Sequence, residues 1–415
     1  MITPDEFPYI KSLYVNDCYT YKDFNIELYD YKPFSHLILT GKNGSGKSTI
    51  LKAVDNHISS LKIGIDPKVQ VDSYQNLIGQ MTSLYGESEQ LESLKKDLFL
   101  LWSTLPFYTS ESYGFWSNTK KEKLYSFFKA KRDSKVNPVN TVTKEIDFAN
   151  QLQESHPTQT LASQFKQYLV NKKVYQAFDQ INKDQVRFAE TEYFFDLLTT
   201  SFQEIFEDEN LEIVFRQEDF EFFIKLSDGR KLTFDVLSEG FSALLSILMD
   251  LFTRVDLIRK QVADFAYNPC GIVLIDEPET HLHLQMQEQV LPLLTSLFPN
   301  IQFIVATHSP AVVASIKQAT IFDLSTKERR ISEDTVGRSY SDLMTTHFGL
   351  NNEYSATADD IIKQVNDVLN SSDKNPAAKK QALQSIYDTN SAYLSPTLKV
   401  ELEMLIVQHD VQQEL

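Results

Sequence analysis

Cysteine is nearly missing from this chain: Cys18 and Cys270 are the only two in 415 residues. They stand far apart and in no metal-binding spacing, which excludes a disulfide scaffold and a thiolate metal site and leaves two buried thiols. No apolar run approaches the ~18 residues of a membrane span. The opening Met1-Ile2-Thr3-Pro4-Asp5-Glu6 lacks the basic-then-apolar order of a signal peptide. A cytoplasmic location with no membrane partner is therefore expected. Basic residues are also in deficit, with 40 Lys and Arg against 57 Asp and Glu and a net charge of −17. So acidic a surface repels nucleic acid unless a local basic patch intervenes. Between Glu204 and Glu221 the carboxylates are opposed only by Arg216, which reads as a solvated acidic face. There is no internal repeat and no low-complexity tract.

What is present is a globular composition, 42% hydrophobic and 23% charged, in a chain long enough for two or three units. Ile10 to Val15, Phe24 to Tyr29 and His36 to Thr40 are β-branched and aromatic runs separated by turn-prone residues, and read as strands. Residues 1–71 form the first lobe. From 72 to 205 the pattern turns helical, with Leu91, Leu94, Leu98 and Leu101 at helical spacing and Tyr175, Phe178 and Ile181 continuing such a stripe, so this stretch reads as a helical insertion. Strands return over 211–215, 220–226 and 231–234, the last two joined by the hairpin turn Ser227-Asp228-Gly229-Arg230. Gly271 to Ile275 and Ile301 to Ala306 are continuous apolar runs, as in strands buried on both faces of a parallel sheet. Residues 206–330 complete the second lobe. Residues 331–415 form a helical region, with Ile361, Val365, Leu402 and Ile406 on apolar stripes.

Three short segments carry chemistry. Gly41-Lys42-Asn43-Gly44-Ser45-Gly46-Lys47-Ser48 matches G-x-x-x-x-G-K-[ST] without a mismatch, and Thr49 continues into a helix. Backbone N–H groups from Asn43 to Thr49 would wrap phosphates at a positive helix end, Lys47 would neutralise the β- and γ-phosphates of ATP, and Ser48 would ligate Mg²⁺. The strand ending in Asp276-Glu277 would place Asp276 on the same metal and Glu277 as general base for attack on the γ-phosphate. Leu237-Ser238-Glu239-Gly240 heads a helix, where Ser238 and Gly240 can cap it or bind another phosphate.

The order of phosphate loop, Leu-Ser-x-Gly, Asp-Glu strand end and Thr307-His308-Ser309 resembles the ATP-binding-cassette ATPases. Glu279-Thr280-His281-Leu282-His283 and the run Phe298 to Pro310 narrow the resemblance to bacterial ATPases of the overcoming-lysogenization-defect group, with the ATPase subunits of Septu, retron and similar antiphage systems. The resemblance covers the first seventy residues and Leu211 to Leu324. It implies an α/β phosphate-loop fold with an N-terminal antiparallel β-subdomain, a mixed or parallel core sheet, a helical insertion and a C-terminal helical extension. It also implies that Ser238 and Gly240 contact the γ-phosphate bound to the opposite protomer of a homodimer or higher homo-oligomer, and that His308 is the switch histidine. The catalytic set is then Glu277, His308 and Lys47. Glu239 stands where transporter cassettes carry glycine, which argues against a transporter. The metal-coupling glutamine has three candidates, Gln70, Gln75 and Gln80. His281 and His283 read as a protomer-contact segment rather than metal ligands.

The expected function is ATP hydrolysis that controls a separate effector, a nuclease, in antiphage defence. No Asp-x-Asp pair follows His308, so a two-metal nuclease site is not expected within Ser309–Leu415. The alternative is a RecF-like repair ATPase that binds DNA. That reading would draw on Lys120, Lys121, Lys123, Lys129, Lys131, Arg132 and Lys135, with Tyr125, Phe127 and Phe128 interleaved, although a solvated helix with a buried aromatic side is the plainer reading of the same stretch.

Overall fold

A computed structural model describes residues 1–85, 88–106, 115–116, 122–132, 137–143, 162–234, 239–335, 337–347, 356–371 and 376–411. Two compact units are present, Met1–Leu343 with His347–Gly349, and Met344–Thr346 with Leu350–Leu415.

The first unit opens on the hairpin β1 (Ser12–Asp17) and β2 (Lys22–Glu27) and enters the core on β3 (His36–Thr40). Helices α1 (Lys47–Lys62), α2 (Pro67–Tyr85) and α3 (Glu89–Trp102) follow. The chain then makes β4 (Thr104–Pro106), which pairs antiparallel with β1, and β5 (Leu124–Phe128). Helices α4 (Ala162–Asn182) and α5 (Gln185–Phe206) pack together ahead of a meander of β6 (Glu212–Arg216), β7 (Glu221–Lys225) and β8 (Lys231–Thr233). After α6 (Glu239–Val262) come β9 (Gly271–Asp276), α7 (Leu284–Leu297), β10 (Ile301–Ala306) and the short α8 (Pro310–Ser315). Strands β11 (Ala319–Asp323) and β12 (Glu328–Ile331) finish the sheet before α9 (Tyr340–His347).

The central sheet has six strands in the order β12-β11-β3-β10-β9-β5, parallel except for β12 at one edge. All residues of β3, β5, β9, β10 and β11 are buried, because helices or the N-terminal hairpin cover both faces. Alternation sorts them. Leu37, Leu39, Ile272 and Leu274 meet Ile50, Leu51 and Val54 of α1 in one core. Ile38, Val273 and Ile275 join Leu198, Leu244, Leu248 and Leu291 in the other. This places the carboxyl ends of β3, β9 and β10 side by side, where an open parallel sheet binds ligands.

The stretch 72–205 is not helical throughout. β4 extends the N-terminal sheet, and β5 is an edge strand of the central sheet, with Leu124 level with Gly271 and Phe128 with Ile275. Short apolar runs do not distinguish a buried strand from a helix by periodicity alone, and here pairing with β9 decided. The stripe on α3 does face inward, with Leu91 and Leu101 buried, but Phe178 and Ile181 of α4 are 52% and 73% exposed.

The basic cluster fares similarly. Lys120, Lys121 and Lys135 lie outside the described residues. Tyr125, Phe127 and Phe128 are buried in β5 and have no face to offer a base. Lys123 donates to the carbonyls of Phe115 and Trp116 at 2.7 Å each. Arg132 turns toward β9, so only Lys129 and Lys131 among the described cations are exposed.

The second unit holds α10 (Ala356–Leu369), α11 (Pro376–Asn390) and α12 (Pro396–Val411) around Ile361, Val365, Leu383, Leu398, Leu402 and Ile406. It starts later than residue 331. Ser332 is buried beneath β11, its hydroxyl accepting from the Ala319 N–H at 3.1 Å, and Leu343 is buried in the first unit.

Candidate nucleotide site

The phosphate-loop sequence turns between β3 and α1, as its glycines require. Gly41, Gly44 and Gly46 have φ of 126°, 77° and 99°, a region that side-chain-bearing residues avoid. At Gly46 space forbids a side chain as well, since a Cβ would lie 2.7 Å from Cys18. The hairpin grips the loop from that side, with the Thr20 hydroxyl donating to the Gly44 carbonyl at 2.8 Å. On the other side the Lys42 N–H donates to the Ser325 hydroxyl at 2.9 Å, and the Ser325 N–H to Asp323 Oδ1 at 2.7 Å. Helix α1 begins with no side-chain cap and no acidic residue in its first turn. Its N–H groups and dipole therefore face the loop uncompensated, which favours an anion.

Lys47 folds back into the loop. Its ammonium donates to the carbonyls of Gly41 at 2.9 Å and Lys42 at 3.2 Å. Burial pushes its pKa down to about 8, opposed by the charges of Glu277, Asp276, Asp323 and Glu279. The next residue meets the acidic strand end: the Ser48 hydroxyl donates to Asp276 Oδ1 at 3.1 Å. Burial raises the Asp276 pKa, and the Ser48 hydrogen bond works against that shift. A hydroxyl and a carboxylate held together at the mouth of an anion-binding loop form a hard oxygen pair that suits Mg²⁺, an ion that takes one or two protein oxygens and completes its shell with phosphate and water.

Glu277 follows with φ of 50°, left-handed for a residue with a side chain, at a cost of order 1–3 kcal/mol. Its N–H donates to the Ala306 carbonyl at 2.8 Å. Its carbonyl accepts from the Thr280 hydroxyl at 2.9 Å. One strand over, His308 follows β10. Burial lowers its pKa, as does the charge of Lys47, so the imidazole is neutral near pH 7. The fold thus brings Lys47, Ser48, Asp276, Glu277 and His308 to one edge. Leu237 and Ser238 lie outside the described residues, and Gly240 sits in the first turn of α6.

Four features of this edge were not read from sequence. Glu279 accepts from the His308 N–H at 2.7 Å, and burial raises its pKa. Its place two residues past Glu277 was the available signal. Ser325, held by Asp323 at the end of β11, braces the loop from a segment remote in sequence. Arg132 lay in a stretch that read as solvated or nucleic-acid-facing. None of the glutamine candidates belongs here: Gln70 accepts from Ser60 at 2.8 Å on the far part of α1, and Gln75 and Gln80 are exposed. His281 and His283 are exposed, and among the described residues no three His, Cys, Asp or Glu side chains gather as a metal site.

Known proteins resemble this chain in sequence. The "Retron Vc95 probable ATPase" of Vibrio cholerae serotype O1 biovar El Tor is 24% identical over 374 residues, 72% of each chain. The "Septu protein PtuA" of Bacillus thuringiensis is 23% identical over 292 residues, 66% of each chain. Among solved structures, the Smc head bound to the C-winged helix domain of ScpA is matched over 76% of this chain and 94% of its own at 16% identity, with a TM-score of 0.34. The family model described as "AAA domain, putative AbiEii toxin, Type IV TA system" matches residues 37–314, a span that runs from β3 through the phosphate loop and the Asp276 strand to α8. With that span taking in well over half of its length, this chain belongs to that AAA-domain family.

Proposed function

We propose that the protein binds ATP with Mg²⁺ at the Gly41–Ser48 loop and hydrolyses it, the two events switching an assembly between closed and open forms. The observation that carries this reading is the contact of Ser48 with Asp276 beside an uncapped helix start and a buried lysine. Asn43 to Thr49 bind the phosphates, Lys47 leaves its carbonyl partners for the β- and γ-phosphates, and Ser48 with Asp276 hold the metal. Bound Mg²⁺ supplies charge neutralisation along the phosphate chain. Glu277 accepts a proton from the attacking water as the new O–P bond forms and the bond from the γ-phosphorus to the bridging oxygen breaks. His308, neutral and on the next strand end, senses the γ-phosphate. Ser238 and Gly240 complete the pocket from a second protomer.

Two relatives whose names place them in a retron and in Septu support a role as the ATPase subunit of an antiphage system. In that role the output lies in a separate effector, a nuclease. The repair reading has less support, since the aromatics of its basic cluster are strand residues.

The Glu277→Gln variant tests the reading. It should bind ATP as the parent does, lose most turnover, and accumulate an ATP-bound dimer visible by light scattering. Turnover at the parental rate would sink the assignment of the base.

A further inference from the structure

We infer that Arg132 is a positioning residue for ATP hydrolysis, a clamp that sets Glu277 from the segment that follows the neighbouring strand β5. This rests on the reading of Glu277 as the base. β5 runs parallel to β9 at the sheet edge, with Phe128 level with Ile275, so the chain leaves β5 beside Asp276. Residues 130 and 131 bend, and Arg132 follows them. Arg132 Nη1 donates to the Lys129 carbonyl at 3.2 Å and to the Asp276 carbonyl at 3.1 Å, while Nη2 donates to the Glu277 carbonyl at 3.0 Å. One planar guanidinium thus spans two successive carbonyls of the acidic pair, a geometry that an ammonium cannot reproduce.

These carbonyls are where the backbone needs holding. Glu277 is left-handed, and such a conformation persists only when its surroundings fix it. Thr280 holds the Glu277 carbonyl from the following turn, and Arg132 reaches it from the segment after β5. Glu279 ties the same loop to the His308 N–H, so Arg132 and Glu279 bracket the base between the strands on either side of β9. Burial lowers the Arg132 pKa, and the charges of Glu279, Asp276 and Glu277 favour its cation. The guanidinium donates to backbone and leaves the Glu277 side chain unoccupied by it in every hydrogen bond it makes among the described residues. That distinguishes a positioning role from a role in the reaction itself.

The test is a double-mutant cycle in the full chain, measuring steady-state ATP hydrolysis and equilibrium ATP binding. Arg132→Gln should lower kcat by about 10- to 100-fold through displacement of the base, with ATP affinity nearly unchanged. Arg132→Lys, which keeps charge without the fork, should recover part of that loss. Combined with Glu277→Gln, Arg132→Gln should cost nothing further, because it acts through the group already removed. A full additional loss in the double variant, or parental kcat in a folded Arg132→Gln protein, overturns the proposal. If Arg132→Gln does not fold, Arg132→Lys carries the same cycle, and additive losses there are equally fatal. If Glu277→Gln itself turns over ATP normally, the base assignment fails and takes the clamp with it. An inactive Glu277→Gln beside a normal Arg132→Gln overturns the clamp alone.

Discussion

At the scale of single residues, Lys47 has a protonation state within reach of experiment. Burial holds its pKa at about 8, down from 10.5. A lowered lysine pKa means that the charge is present below about 8 and lost as pH rises through it. ATP affinity should therefore weaken above about pH 8, measurable as the Kd of a fluorescent ATP analogue; a flat profile up to the ordinary lysine range would contradict it. Lys47→Ala should abolish nucleotide binding. His36 and His57 supply a second, opposite trend. Both are buried, and burial pushes each pKa from 6.5 to about 4. His36 Nδ1 accepts from the Phe303 N–H at 3.0 Å, a bond that protonation removes. The unfolded chain takes up these protons first, so stability is lost as pH falls from about 6.5 toward 4, by up to ~1.4 kcal/mol per pH unit for each histidine. Thermal midpoints that stay constant across that window would disprove the account.

At the scale of elements, the site depends on how closely β5 approaches β9. Gly271 is extended and needs no left-handed freedom, yet a Cβ there would lie 2.5 Å from the Leu124 carbonyl oxygen. Gly271→Ala must push β5 outward, at a cost of ~1–3 kcal/mol in strain. It should lower the thermal midpoint and also reduce kcat, since β5 delivers Arg132. Loss of stability with unaltered kcat would show that the strand end tolerates the shift. β5 also shows where reading by element fails. Leu124-Tyr125-Ser126-Phe127-Phe128 is too short to declare its period, and the lysines around it suggested a surface. Its burial follows from an edge position beside β9, a long-range pairing that local composition does not encode.

At the scale of the whole molecule, the net charge of −17 bears on assembly. Two protomers that each carry this charge repel, and bound nucleotide adds to the repulsion. The ATP-bound dimer proposed for Glu277→Gln should therefore tighten as salt rises from low to physiological ionic strength, since screening weakens long-range repulsion more than close contact. Dissociation constants from analytical ultracentrifugation across a salt series check this. A dimer that loosens with salt would instead mean that ion pairs across the interface dominate.

The sequence by itself determined the parts of this protein that are local. A glycine-rich turn between strand and helix needs residues in a fixed order, so Gly41 to Ser48 declares itself. Asp276 and Glu277 end a strand whose unbroken apolarity marks burial on both faces. The tertiary structure decided what depends on contacts between distant segments. It joined Ser48 to Asp276, braced the loop with Ser325, tied Glu279 to the His308 N–H, and turned Arg132 from a surface cation into a ligand of the carbonyls of Asp276 and Glu277. Charge and hydropathy along the chain state how a residue prefers to be solvated. Only strand order and register state which backbone oxygens it will meet.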